Sequence, residues 1–237
     1  MVDEMINTNK ISKSSFGVFN GCERKFYYNQ LGFPWTTNEI IEYGNEAHKI
    51  LEKYNKGIMS NKKTSEKVPS EFEPILGIYK GNTLPAIKAL GYTELVGAEV
   101  ELFFGYYHGI IDALFKKKDK EEYLIVDFKT VVSLGSFNRD KYKNEMYIYL
   151  HLLNKARNIE CDNINLAIAR FRQKFYEGDF NIIEKDEKEF NSILTAVDKM
   201  NKKLYESSGN IKDFPQVSPD KTNRLCQMPC EFYSICE

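Results

Sequence analysis

The chain predicts an α/β domain, a mixed central sheet flanked by helices, and three observations carry that prediction. Short runs rich in Val, Ile, Phe and Tyr fall at 98–104, 106–115, 123–130 and 163–172, the signature of strands. Helix-period patterns precede, interrupt and follow them, giving the order helix–strands–helix–strand–helix. The cysteines sit at opposite ends: Cys22 near the start, and Cys226, Cys230 and Cys236 at the finish. Four thiolates can hold a metal or a cluster, and such a centre would join the N- and C-terminal ends into one unit. A length of 237 residues suits one domain over 1–237. It divides into N-terminal helices (11–56), a sheet core (95–172) and a C-terminal cysteine motif (220–237).

Each element has a local reason. Residues 12–31 read as helix, with Ser12 able to cap the start and Phe16, Phe19 and Phe26 recurring at helical spacing. Phe33-Pro34-Trp35 breaks that pattern. A second helix spans 39–54, with Ile41, Gly44, His48 and Leu51 along one face. Residues 55–74 are polar, contain Gly57, Pro69 and Pro74, and read as a loop or lid made locally positive by Lys62, Lys63 and Lys67. Residues 75–90 read as a further helix. Lys116–Glu122 is wholly charged and suits a hairpin turn between two of the strands. Helices are expected over 139–154 and 184–205, and Pro215 and Pro219 lead into the cysteine-rich tail.

Composition narrows the function classes. Hydrophobic residues make up 42% and charged residues 28%, ordinary for a globular protein able to bury a core. No apolar run approaches the roughly 20 residues that cross a bilayer. Met1–Met5 carries acidic residues and no cationic leader, so no membrane association and a cytoplasmic location are expected. Thiols stay reduced there, and clustered cysteines read as metal ligands rather than disulfides. The net charge of −1 provides no global field toward nucleic acid, so DNA binding would need a local basic groove. Aromatic residues reach 14% and more often fill a core than stack on bases.

The densest chemistry lies in Gly109-Ile110-Ile111-Asp112 followed by Ile125-Val126-Asp127-Phe128-Lys129. Alternate strand residues share a face, so Asp127 and Lys129 point the same way. A turn closing at Asp119-Lys120 pairs residues whose numbers sum to 239, which sets Asp112 opposite Asp127. Side-by-side carboxylates repel, and burying them is costly without a cation. A hard cation such as Mg2+ or Mn2+ resolves the conflict through oxygen ligands, and it could activate water, with Lys129 stabilising developing charge. An exposed Asp-x-Lys pair is usually a solvated face. Here the apolar runs Leu124-Ile125-Val126 and Ile110-Ile111 lead directly into the charges, which favours the functional reading.

His48 follows Gly44 by one helical turn and is either a packed side chain or a ligand at the mouth of the acidic site. The other two histidines, His108 and His151, show no ligand spacing. Glu99 and Glu101 alternate with Val100 and Leu102, so one of them could face a metal. Glu145 and Tyr149, four residues apart, share a helix face. Cys161 matches no motif and reads as a small buried residue.

Taken together these residues resemble the PD-(D/E)XK nuclease superfamily, and within it the RecB-like exonucleases that carry an iron–sulfur cluster. That group includes a CRISPR-associated exonuclease, the AddB nuclease domain and phage exonucleases. The likeness covers nearly the whole chain. Ser14-Ser15-Phe16 through Cys22-Glu23-Arg24-Lys25-Phe26-Tyr27-Tyr28 resembles the first cysteine motif. Gly44 to His48 resembles the histidine motif, and Gly109 to Asp112 the first aspartate motif. Asp127-Phe128-Lys129 resembles the D/E-x-K core, and the last three cysteines the cluster motif. Two departures stand out. Glu145 occupies the place of the family's usual Gln, and a carboxylate donates no hydrogen bond unless protonated. Three residues separate Cys226 from Cys230 where the family has two.

The resemblance implies a metal-dependent DNA exonuclease, also able to cut single strands or flaps. His48, Asp112, Asp127 and the Phe128 backbone carbonyl would hold Mg2+ or Mn2+. Lys129 would be the catalytic lysine, with Glu145 and Tyr149 supporting it. A 4Fe–4S cluster would sit on Cys22, Cys226, Cys230 and Cys236, with zinc as the alternative occupant. DNA ends would be the substrate, in recombination, end processing or CRISPR adaptation as antiviral defence. A helicase, integrase or annealing protein would be a partner. The alternative is a catalytically silent module that binds DNA ends within a larger complex.

Overall fold

The structure is a computed structural model and describes residues 12–31, 39–61, 67–105, 107–206 and 211–214. The chain divides into two compact units. One comprises 1–37, 104–108 and 187–237, and the other 38–103 and 109–186.

The larger unit holds a five-stranded mixed sheet in the order β1-β2-β3-β4-β5. The strands are β1 (Tyr92–Phe104), β2 (Tyr107–Lys117), β3 (Tyr123–Val131), β4 (Ile164–Arg172) and β5 (Gly178–Ile183). β2 and β3 are antiparallel, β3 and β4 parallel, β4 and β5 antiparallel. The hairpin register is the expected one: Lys116 faces Tyr123 and Ala113 faces Val126. The turn closes through the Lys117 amide, which donates to the Glu122 carbonyl at 2.9 Å, with Asp119 in the left-handed region at φ 61°. β3 is buried from Leu124 to Phe128 and β4 along nearly its whole length, as central strands covered on both faces must be.

Helices pack on both faces. α3 (Glu39–Met59) and the helical run through α4 (Glu73–Ile78), a π-helical turn (Tyr79–Thr83) and α5 (Leu84–Ala89) share one core with the sheet. In that core Ala47, Leu51, Ile75, Tyr79 and Ile87 meet Ala113, Val126, Phe128, Ala169 and Phe171. Alternation then assigns Ile125, Asp127, Lys129 and Ile168 to the opposite face, where α6 (Arg139–Arg157) buries Met146, Tyr149 and Leu153.

The smaller unit contains α1 (Lys13–Gly21), α2 (Glu23–Gln30) and α7 (Glu187–Glu206). Ser12 caps α1 by accepting from the Ser15 amide at 3.2 Å. The expected single helix over 12–31 is two helices, because Cys22 takes up an extended backbone that ends α1 and caps α2. Phe19 meets Phe26 edge-on at 5.5 Å, and Tyr27 stacks on Phe214 at 4.9 Å. Arg24 donates to the Phe214 carbonyl at 2.7 Å, and Lys203 pairs with Glu23.

Other expectations shift at their edges. α3 runs five residues past 54 and shortens the expected loop, and a helix resumes at Glu73. β1 begins at Tyr92 rather than 98. β5 is additional: Gly178-Asp179-Phe180-Asn181 is too polar for a strand signal, and it pairs because β4 offers an edge.

Candidate active site

The site forms where β2 and β3 stop pairing. Their ladder ends at Ala113 and Val126, one step before Asp112 and Asp127 would face each other. Beyond that point the Phe128 amide donates to the Asp112 carboxylate at 2.6 Å, so a side chain takes the place of a ladder partner. Asp112 also meets His48, with Oδ1 3.2 Å from Nδ1. The glycine one turn before the histidine explains the approach. A Cβ at Gly44 would lie 3.0 Å from the Thr130 hydroxyl, a tight contact, so the bare backbone eases the close approach of α3 to β3 that carries His48 to Asp112.

Glu99 completes a group the sequence left open. Ligand atoms of His48, Glu99 and Asp112 all lie within 4.8 Å of one another, close enough to hold a metal ion together. Glu99 sits at φ 51°, unusual for a strand residue, and two residues earlier a Cβ at Gly97 would lie 2.2 Å from Val100. β1 therefore turns locally at Gly97–Val100, the kind of irregularity that re-aims a side chain. It half-buries Glu99 while Glu101 stays exposed. The sequence signal was the pair of alternating glutamates, and the backbone turn selects one of them.

The electrostatics follow from burial. Glu99's carboxyl is pushed up to about 7, first by burial and then by the charges of Asp112 and Glu52. Burial pulls the His48 imidazole down, but its hydrogen bond to Asp112 and the charges of Asp112 and Asp127 outweigh this, so the net shift is upward. Two carboxyl groups and an imidazole in so small a space favour a proton or a cation between them.

Asp127 and Lys129 share a face as expected. The Lys129 ammonium lies 2.9 Å from Asp127 and 2.7 Å from Glu145 on α6. Glu145, at the family's Gln position, thus makes an ion pair that a neutral amide would not. Tyr149, one turn on, donates its hydroxyl to the Ile110 carbonyl. Burial, then the charges of Asp127 and Asp112, raise its pKa well above 10, so it remains a donor. A Cβ at Gly109 would lie 2.7 Å from Leu152 and 3.0 Å from Tyr149, so this glycine seats α6 against β2.

Arg170 is a supporting residue whose role the sequence did not disclose. It neighbours Lys129 in the β3–β4 register and pairs with Asp179 of β5. It donates to the Leu134 carbonyl at 2.7 Å and lies over the Phe137 ring at 5.3 Å. The loop leading from Lys129 to α6 is strapped to the sheet by these contacts. Its partner strand β5 carries little strand signal, which is why the strap is not legible from sequence.

Of the sequence-predicted cysteine centre, Cys22 is described and half-buried, and its sulfur accepts from the Lys25 amide at 3.4 Å. Cys226, Cys230 and Cys236 lie outside the described residues. Cys161 is half-exposed at the start of β4 rather than buried. Among the described residues no helix is long and apolar enough to cross a membrane.

The central hairpin of the mixed sheet thus ends in two aspartates and a lysine, with a histidine reaching in from the flanking helix. The model of the PD-(D/E)XK nuclease superfamily matches residues 10–237, and the chain belongs to that superfamily. Among solved structures similar to the chain, the first shares the fold. A presumed exonuclease from Eubacterium rectale is 15% identical with a TM-score of 0.54, over 81% of this chain and 79% of its own. A phage-related exonuclease from Haemophilus somnus is 12% identical with a TM-score of 0.36, over 83% of this chain and 95% of its own. An alkaline exonuclease from Laribacter hongkongensis is 9% identical with a TM-score of 0.35, over 82% of this chain and 93% of its own. No curated protein matches the sequence.

Proposed function

We propose that the chain is a divalent-metal-dependent deoxyribonuclease that degrades DNA from an end. The observation that carries the reading is the close grouping of His48, Glu99 and Asp112 beside a lysine held between Asp127 and Glu145. The donor set is one imidazole and several carboxylate oxygens, which suits Mg2+ or Mn2+. His48, Asp112 and Asp127 with the Phe128 carbonyl would hold the ion, and Glu99 joins them. When bound, such an ion supplies an activated water and neutralises phosphate charge.

The chain's own residues do the rest. Lys129 presents an ammonium toward the scissile phosphate and offsets its developing charge. Glu145 and Asp127 fix that ammonium from two sides. Tyr149 locks α6 to β2, which holds Glu145 in register with Lys129. Presenting the strand end to these groups replaces a bimolecular encounter by a positioned one.

The same proposal includes a 4Fe–4S cluster on Cys22, Cys226, Cys230 and Cys236 as a structural clasp, on the strength of the cysteine motifs in the sequence. An anaerobic preparation should contain iron and sulfide in equal amounts, and stoichiometric zinc instead would replace this part of the reading. A helicase, integrase or annealing partner fits an end-directed enzyme of this kind.

The test is a time course on DNA labelled at the 5′ or the 3′ end, with Mg2+, with Mn2+ and with EDTA. Metal-dependent shortening from one end is expected. Binding of ends without any metal-dependent product would identify a silent module instead.

A further inference from the structure

We propose that a basic groove along α3 receives a single nucleic-acid strand leaving the site; this rests on the nuclease reading and extends it. The groove lies between α3, the segment 67–69 and α4, and has a volume of about 310 Å3. Lys49, Lys53 and Lys67 line it, over an apolar floor that includes Tyr54 and Leu76. Among the described residues its one carboxylate, Glu46, is 3.1 Å from Lys49. A further ammonium, that of Lys80, lies 4.5 Å over the Tyr54 ring.

The chain as a whole has a net charge of −1, so this concentration of ammonium groups is local. Lys49 and Lys53 are one helical turn apart, roughly 6 Å along the axis, and form a row rather than a point. A row of cations over an apolar floor fits a ligand with repeated anionic groups and flat rings between them. The volume is on the order of one nucleotide, the scale of a single strand passing through.

Position supports the same occupant. Lys49 directly follows His48 on α3. Successive helix residues point about 100° apart, so His48 reaches the metal-binding group while Lys49 opens the groove on the adjacent flank. A strand whose end is held at Asp112 and His48 then meets its next cations on the same helix.

The experiment measures anisotropy of a labelled 20-nucleotide single strand with EDTA present, so that nothing is cut. The variant combines Lys49→Glu, Lys53→Glu and Lys67→Glu. A control combining Lys88→Glu, Lys118→Glu and Lys120→Glu carries the same change in net charge at other exposed positions. The groove variant should bind at least tenfold more weakly at ~0.1 M salt. The slope of log affinity against log salt should fall by about 2, the loss of three single-strand phosphate contacts. The control should stay within twofold of the parent.

Undiminished binding by the groove variant, equal weakening of the control, or tighter binding of a duplex than of the single strand would each overturn the proposal. Cleavage by the parent with Mn2+ is followed on the same strand. A parent that binds but does not cut sinks the nuclease reading and leaves the groove standing. A parent that cuts while the groove variant binds normally sinks the groove alone. A parent that neither binds nor cuts sinks both.

Discussion

The β2–β3 hairpin carries charge at both ends, and the two ends behave differently. At the turn, Lys116 pairs with Glu121 and Lys117 with Glu122, while Lys120 lies 3.7 Å from Glu122, and every one of these side chains keeps between 22% and 70% of its surface in water. At the other end the Asp127 side chain is fully buried and Asp112 is 5% exposed. Both sets pair carboxylates with cations. Water solvates the first set whether or not the pairs form, so such pairs are weak and interchangeable. The second set has lost most of its water, so each charge depends on specific partners. Burial, not charge content, separates a surface from a site.

The sharpest way to break that contrast is at the buried end. Asp127→Asn should leave Lys129 facing an amide and lower cleavage by about 10^3-fold or more, and Lys129→Ala should do the same. Far-ultraviolet circular dichroism should show both variants folded. Cleavage at the parental rate by either one would remove Asp127 and Lys129 from the site.

A smaller loss should follow from spoiling the seat of α6. Gly109→Val puts a branched side chain where Leu152 and Tyr149 already lie, at 2.7 and 3.0 Å from the first added carbon. Valine favours strands, so any destabilisation is steric. Overpacking of this kind costs about 1–3 kcal/mol, and about 2–4 °C of Tm is expected for each kcal/mol. Cleavage should fall with it, because Glu145 moves with α6. Unchanged Tm and rate would show that Gly109 is not needed for the close approach.

The hairpin was the most legible part of the sequence. Apolar runs ending in charge, joined by a wholly charged turn, fix strand, register and facing residues by local rules, and the pairing follows the sum of 239 as far as Ala113 and Val126. What the rule could not contain is where pairing stops. There Asp112 bonds to the Phe128 amide and meets His48, while Asp127 pairs with Lys129. Glu99 was narrowed to one of two alternating glutamates, because its choice depends on a backbone turn at Gly97–Val100 that no residue type announces. β5 and the Arg170 strap were missed because their stability comes from a neighbouring strand rather than from their own composition. Gly44 and Gly109 were visible as motif letters, and their reason, a helix packed close against the sheet, exists only in three dimensions.

pH offers a subtler comparison. Glu99's carboxyl is raised from 4.5 to about 7, so the folded chain holds a proton the unfolded chain has released, and stability falls as pH rises through that window. His48 is raised as well, so its contribution is present below pH 6.5 and is lost as pH climbs through the raised value. Metal-free protein should therefore lose Tm steadily between pH 5 and 8, and Glu99→Gln should flatten the lower half of that slope. Mn2+ should raise Tm more at pH 8 than at pH 6, since ligands bind it deprotonated. A metal-free Tm that rises over the same range would contradict the grouping of Glu99 with Asp112.

The smallest effect is expected at the turn. Lys116→Ala, Glu121→Ala and the double variant remove an ion pair whose carboxylate side chain is 70% exposed, so water replaces each lost partner at once. Tm should stay within error of the parent in all three, and metal-dependent cleavage should be unchanged. The double variant matters most, because it removes both charges and leaves neither unpaired. If it alone kept the parental Tm while each single variant fell, the turn charges would depend on one another as the buried ones do. Exposure would then not be what distinguishes the two ends of the hairpin.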